Sequence, residues 1–156
     1  MTRNADDVTI EDVRIEDVTV GDELPILSIP LTRTMIVATA LASRDYQDVH
    51  HDPSLAVGRG SKDIFMNILT TNGLVDRYVT GWAGPTAVVR ASRIRLGAPN
   101  HPGDTMILTG TVTAKHPGSG HVEIAIRGVN SLGTHVTGTV VVELRASVAP
   151  PQRTGS

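Results

Sequence analysis

The chain has no cysteine, which excludes disulfides and thiolate chemistry and fits a reducing compartment. Aromatic residues are scarce as well: one Phe, one Trp and two Tyr. Lysine occurs twice against twelve arginines. Without a dense basic run interleaved with aromatics, nothing offers nucleic-acid bases a stacking platform along a phosphate groove. No apolar run approaches the ~20 residues of a membrane-spanning helix. The first residues, M-T-R-N-A-D-D, lack the apolar core of a secretory signal. A soluble, cytoplasmic protein with neither a membrane nor a nucleic-acid partner is therefore expected.

What is present suffices for one domain with its own core, at 156 residues. The net charge of −2 hides an asymmetry. Residues 1–23 carry eight acids against two arginines, and residues 24–156 carry eight acids against twelve bases. The mildly basic body suits a phosphorylated small molecule. Residues 1–19 read as an acidic extension and residues 147–156 as a disordered tail. The domain proper is expected over 20–146.

Leu24–Leu31 alternates around Pro25 and Pro30, as an edge strand would. Met35–Ala42 is a short helix candidate with Thr34 as its cap, and Asp52-Pro53 is a helix start. The longest helical pattern spans Lys62–Val79, with Ile64, Phe65, Ile68, Val75 and Tyr78 among its apolar positions. Gly81 and Gly84-Pro85 end it. From Thr86 the pattern turns to β, in runs over Ala87–Leu96, Asp104–Lys115, His121–Asn130 and His135–Leu144. A long buried helix followed by a four-run meander is an α+β layout, compatible with several folds.

The segment Ser43–Pro53, S-R-D-Y-Q-D-V-H-H-D-P, is too polar for a core element. It sets the carboxylate of Asp45 five residues before the imidazole of His50, with Tyr46 and Val49 available to anchor the loop. A carboxylate and an imidazole holding one water between them suit general acid–base chemistry near neutral pH. Spacing alone also allows Asp45 and Asp52 to be turn and cap residues beside solvated histidines. Histidines 50 and 51 are adjacent and diverge, and the other four sit at turns or strand ends, so no metal site is expected. Ser43 lacks the Gly-x-Ser-x-Gly setting of a nucleophile elbow.

This segment resembles the active-site signature of the MaoC-like, R-specific enoyl-CoA hydratases, whose usual form is close to S-x-D-x-N-P-x-H-x-D. Ser43, Asp45, His50 and Asp52 match, while Gln47 and Asp48 stand where the family has Asn-Pro. The longer runs A-L-A-S-R-D-Y-Q-D-V-H-H-D and G-S-K-D-I-F-M-N-I-L-T-T-N-G-L-V-D-R-Y-V-T-G-W-A-G-P are similar to the small catalytic subunits of actinobacterial steroid side-chain enoyl-CoA hydratases. The likeness covers about residues 20–146.

The resemblance implies a hot-dog fold, an antiparallel sheet wrapped around a long central helix. It implies hydration of an α,β-unsaturated acyl-CoA with a bulky, steroid-like acyl group, by a water that Asp45 and His50 activate. An N–H donor for the thioester oxygen is expected at the start of the central helix. There Met66-Asn67 replaces the family's His-Gly pair, so the donor falls to the backbone of Asn67. The resemblance places the strand Arg90–Arg95 near the CoA, where Arg93 and Arg95 would meet phosphates, although a solvated strand face is the other reading. CoA arrives as part of the substrate, and no separate cofactor is implied. A second hot-dog subunit is implied as partner, with a homodimer as the alternative. Competing functions are a hot-dog thioesterase and a non-catalytic acyl-binding subunit. The Asp-x4-His pair argues against both.

Overall fold

The structure, a computed structural model, describes residues 11–146. Residues 1–10 and 147–156, read from the sequence as extension and tail, lie outside the described residues. Three helices lead into the sheet region: α1 (Arg33–Ala42), α2 (Pro53–Gly58) and α3 (Ile68–Ala83). Strand β1 (Leu27–Pro30) precedes them, and β2 (Val88–Leu96), β3 (Thr105–His116), β4 (His121–Asn130) and β5 (Gly133–Glu143) follow. All five strands form one sheet in the order β1-β3-β4-β5-β2, antiparallel throughout.

Strands β3, β4 and β5 form the meander that the Val/Ile/Thr alternation predicts. The first run, Ala87–Leu96, does not extend it. Strand β2 pairs with β5 at the far edge, Arg93 opposite Thr139 and Arg95 opposite Thr137. The connection from β2 to β3, residues 97–104, is too long for a tight hairpin and crosses the end of the sheet instead. Gly97 N and Ala98 N donate to the β5 carbonyls of His135 and Thr134 at 2.7 and 2.8 Å. Gly138 lets β2 close on β5, because a Cβ there would collide with the Arg93 carbonyl.

Alternation buries Met106, Leu108 and Val112 of β3 with Ile124 of β4 and Val136, Val140 and Val142 of β5 on one face. Against that face α3 lays Leu74, Val75, Tyr78 and Val79, the one–three–four spacing of a helix stripe. This is an α+β hot dog, with the sheet packed on one long helix.

Local boundaries differ from the sequence pattern in three places. Thr32, not Thr34, caps α1, its Oγ1 accepting from Met35 N at 3.0 Å. Helix α3 begins at Ile68 rather than near Lys62, because the preceding amides bond elsewhere: Phe65 N to Val49 O at 3.2 Å and Met66 N to Asn100 O at 3.0 Å. Residues 61–66 are therefore a strap beneath the Ser43–Pro53 loop, and Ile64 and Phe65 are not on a helix face. Residues 11–18 are packed against the domain and do not fray from it. Val13 N donates to Ala83 O at 3.0 Å, Ile15 N to Arg145 O at 3.1 Å, and Ile15 and Val18 are buried.

Candidate active site

Helix α1 ends in a reversal that aims Asp45. Arg44 N donates to Leu41 O and Asp45 N to Ala40 O, both at 3.0 Å. These paired bonds define a Schellman-type stop, which needs a left-handed residue and usually takes glycine. Here that residue is Arg44, at φ 57°. A 3₁₀ turn over Asp48–His50 follows, and Asp52 caps α2 with Oδ1 accepting from Leu55 N at 3.0 Å. Val49 packs against the core as expected, but Tyr46 is two-thirds exposed and anchors nothing.

The turn brings His50 back onto Asp45, with Nε2 3.4 Å from Oδ2. That separation is slightly long for a direct hydrogen bond and leaves both groups able to share a water. His50 is buried, while about a fifth of the Asp45 side chain remains exposed. His50 Nδ1 lies 2.7 Å from the carbonyl oxygen of Phe65. A carbonyl only accepts, so Nδ1 carries the hydrogen, and Nε2 is the ring nitrogen turned to Asp45. The Phe65 ring meets His50 edge-on with centroids 5.0 Å apart. His101 holds the strap from below, its Nδ1 2.9 Å from Ile64 O.

Asn67 completes the cluster. It is buried at the N-cap of α3, and its Nδ2 donates to Asp45 Oδ2 at 3.1 Å and to Ser43 Oγ at 2.9 Å. Its Oδ1 accepts from Thr70 N at 3.0 Å. As N-cap it precedes the unpaired first-turn N–H groups, where partial positive charge gathers. One turn on, Thr71 Oγ1 lies 2.9 Å from Nε2 of His135, whose Nδ1 donates to Ala98 O at 2.7 Å. Burial pushes the His135 imidazole pKa down, opposed by its bond to Ala98. A groove of about 340 Å³ opens beside the cluster between α1 and α3, bordered by Thr39, Ser43, Leu69, Thr70 and Leu74.

The structure thus brings Asp45, His50 and Asn67 together. Arg93 and Arg95 are exposed on the edge strand β2 and share no contact with that cluster. The Ser43 hydroxyl, the Phe65 carbonyl and His101 complete the surroundings. Ser43 was visible in the motif, but no side-chain pattern announces which backbone carbonyl will meet a ring nitrogen. Among the described residues no group of three or more His, Cys, Asp or Glu could hold a metal ion, and no helix is long and apolar enough to cross a membrane.

No family model matches the chain. The fold is shared with the unliganded R-hydratase PhaJ1 of Pseudomonas aeruginosa, at a TM-score of 0.79 and 20% identity over 92% of this chain and 97% of that one. In sequence, the chain is 52% identical over 127 residues to the beta subunit of the 3-oxo-4,17-pregnadiene-20-carboxyl-CoA hydratase of Mycobacterium tuberculosis, covering 81% of this chain and 97% of that subunit. The chain belongs to the MaoC-like enoyl-CoA hydratase family. A solved relative is a chain of the ChsH1–ChsH2 complex from Mycobacterium tuberculosis, 51% identical with a TM-score of 0.79 over 81% of this chain and 98% of that one. Within the MaoC-like family this chain departs at Gln47, Asp48, Met66 and Asn67, and Asn67 is the departure that hydrogen-bonds the acid–base carboxylate.

Proposed function

We propose that this chain hydrates the Cα=Cβ bond of a steroid side-chain enoyl-CoA, with Asp45 and His50 activating the water. The observation that carries the reading is the 3.4 Å approach of Asp45 Oδ2 to a His50 ring whose other nitrogen is engaged by Phe65. The two groups hold a water by its hydrogens and take one proton as its oxygen bonds to Cβ. The electron pair of the double bond moves onto the thioester, so charge develops on its oxygen. The N–H groups at the start of α3, that of Asn67 first, stabilise the charge. The proton then returns to Cα, and the sum is addition of one water with no redox change. Positioned acid–base groups contribute roughly 10²–10⁴-fold to such a step.

The steroid acyl group is supported by the 52% identical relative, a subunit of a 3-oxo-4,17-pregnadiene-20-carboxyl-CoA hydratase. Arg93 and Arg95 are assigned to CoA phosphates, since paired guanidinium groups on one exposed strand face match phosphate geometry. The working enzyme is assigned a second hot-dog subunit, supported by the ChsH1–ChsH2 complex. Ile68 and Leu69 stand about half exposed at the start of α3, as a surface covered in an assembly would.

The test is to co-express the chain with a neighbouring hot-dog gene and supply saturated and unsaturated steroid acyl-CoA esters with a thiol reagent. Loss of enoyl-thioester absorbance without thiol appearance is expected. Rapid thiol release from the saturated ester would move the assignment to a thioesterase. Full activity of a homodimer without the partner would remove the second subunit.

A further inference from the structure

Asn67 uses its whole side chain, and one of its two amide hydrogens goes to the acid–base carboxylate. The amide has two hydrogens and two acceptor sites. The hydrogens go to Asp45 Oδ2 and Ser43 Oγ, and the oxygen accepts from the Thr70 amide and hydroxyl. The orientation is fixed by chemistry: flipped, the NH₂ would face the Thr70 N–H and the carbonyl would face the Asp45 carboxylate. Ser43 is fixed in turn, since its hydroxyl donates back to the α1 carbonyls of Thr39 and Ala40 at 2.8 and 3.0 Å. Its lone pair is what receives Asn67.

The oxygen of Asp45 that Asn67 holds is Oδ2, the one facing His50 Nε2. Among the described residues the other oxygen has only a long contact from Gln47 N, at 3.4 Å. Asn67 is 2% exposed, so its bonds face no competition from bulk water. We infer that the Asn67 side chain is a positioning residue, which holds the Asp45 carboxylate against His50 by an amide hydrogen bond braced on Ser43. This role is separate from capping α3 and from the backbone N–H assigned to the thioester oxygen. It rests on the proposed role of Asp45 as the acid–base carboxylate.

The test uses the assembled enzyme. Asn67→Ser keeps a capping oxygen for Thr70 N but has no amide to reach Asp45. It is expected to keep the melting temperature within a few degrees and KM within about threefold, while kcat falls at least tenfold. Asn67→Gly, which keeps the backbone N–H, is expected to lose kcat as much. In an Asp45→Asn background, whose residual hydration is followed at high enzyme concentration, Asn67→Ser is expected to cost less than threefold, because its target carboxylate is gone. Full kcat in Asn67→Ser overturns the inference, as does an equal loss in both backgrounds, which would make Asn67 independent of Asp45. Normal turnover of Asp45→Asn alone would instead remove the acid–base reading itself, so the two failures are distinct.

Discussion

His50 Nδ1 stands 2.7 Å from the Phe65 carbonyl while Nε2 faces Asp45 Oδ2 at 3.4 Å. One ring nitrogen is thereby committed to structure and the other left for chemistry. The commitment comes from the strap over residues 61–66, fifteen positions away in sequence, and not from the Asp-x4-His loop. Phe65 N in turn bonds the carbonyl of Val49, the neighbour of His50, so loop and strap fix one another.

Removing either member of the pair should stop hydration while sparing the fold. Asp45→Asn and His50→Ala are each expected to lower kcat by at least ~10²-fold, with circular dichroism unchanged. Because both act on one water, the double variant should lose far less than the product of the single losses. Near-normal turnover in either single variant would sink the mechanism.

Arg44 occupies the left-handed position of the α1 stop, which costs an L-residue with a side chain about 1–2 kcal/mol. Glycine avoids that strain but gives back roughly 0.5–1 kcal/mol in backbone entropy. Arg44→Gly is therefore expected to leave activity intact and raise stability by up to about 1.5 kcal/mol, measured by urea denaturation. A clear loss of stability would show that the arginine side chain contributes more than its backbone costs.

His135 gives stability a pH dependence. Its folded-state pKa is lowered by burial, so the folded protein favours the neutral ring more than the unfolded chain does. The contribution is fully present above the unfolded value of about 6.5 and is lost as pH falls below it toward the lowered folded value. Melting temperature should drop between pH 7 and pH 5. His135→Gln, which keeps a donor and an acceptor for Ala98 and Thr71, should lower stability at pH 7 but flatten that drop. An undiminished slope in the variant would assign it to other groups.

Arg33 and Asp63 tie the start of α1 to the strap through two parallel bonds of 2.9 and 2.7 Å. The Arg33 guanidinium holds the Asp63 carboxyl down to about 2. Its stabilisation is present above the unfolded carboxyl value of about 3.9 and is lost as pH falls from there toward about 2. Arg33→Gln should therefore shift the acid-unfolding midpoint to higher pH. At pH 7 its effect should be small, because the Arg33 side chain is half exposed and the pair is screened by solvent. An unmoved acid midpoint would leave the pair without thermodynamic weight.

Much of the molecule was decided locally and is legible in the chain. Strands β3, β4 and β5 follow from period-two burial between short turns, and Asp52-Pro53 opens α2 because cap chemistry depends only on neighbours. Asp45 and His50 could be picked out because acid–base chemistry needs those residue types and their loop is too polar to bury. Other features depended on distant partners. Ile64 and Phe65 carry a helix-like apolar spacing, yet they form a strap because Val49 and Asn100 take the amides of Phe65 and Met66. Strand β2 looked like the first run of a meander, but its long exit loop carries it to the far edge beside β5. Asn67 read as a backbone donor on a helix, and only the fold shows its amide turned onto Asp45. Sequence sets what each residue can donate, accept or bury, whereas the choice of partner belongs to tertiary packing, because a hydrogen bond forms only between groups the whole chain has brought together.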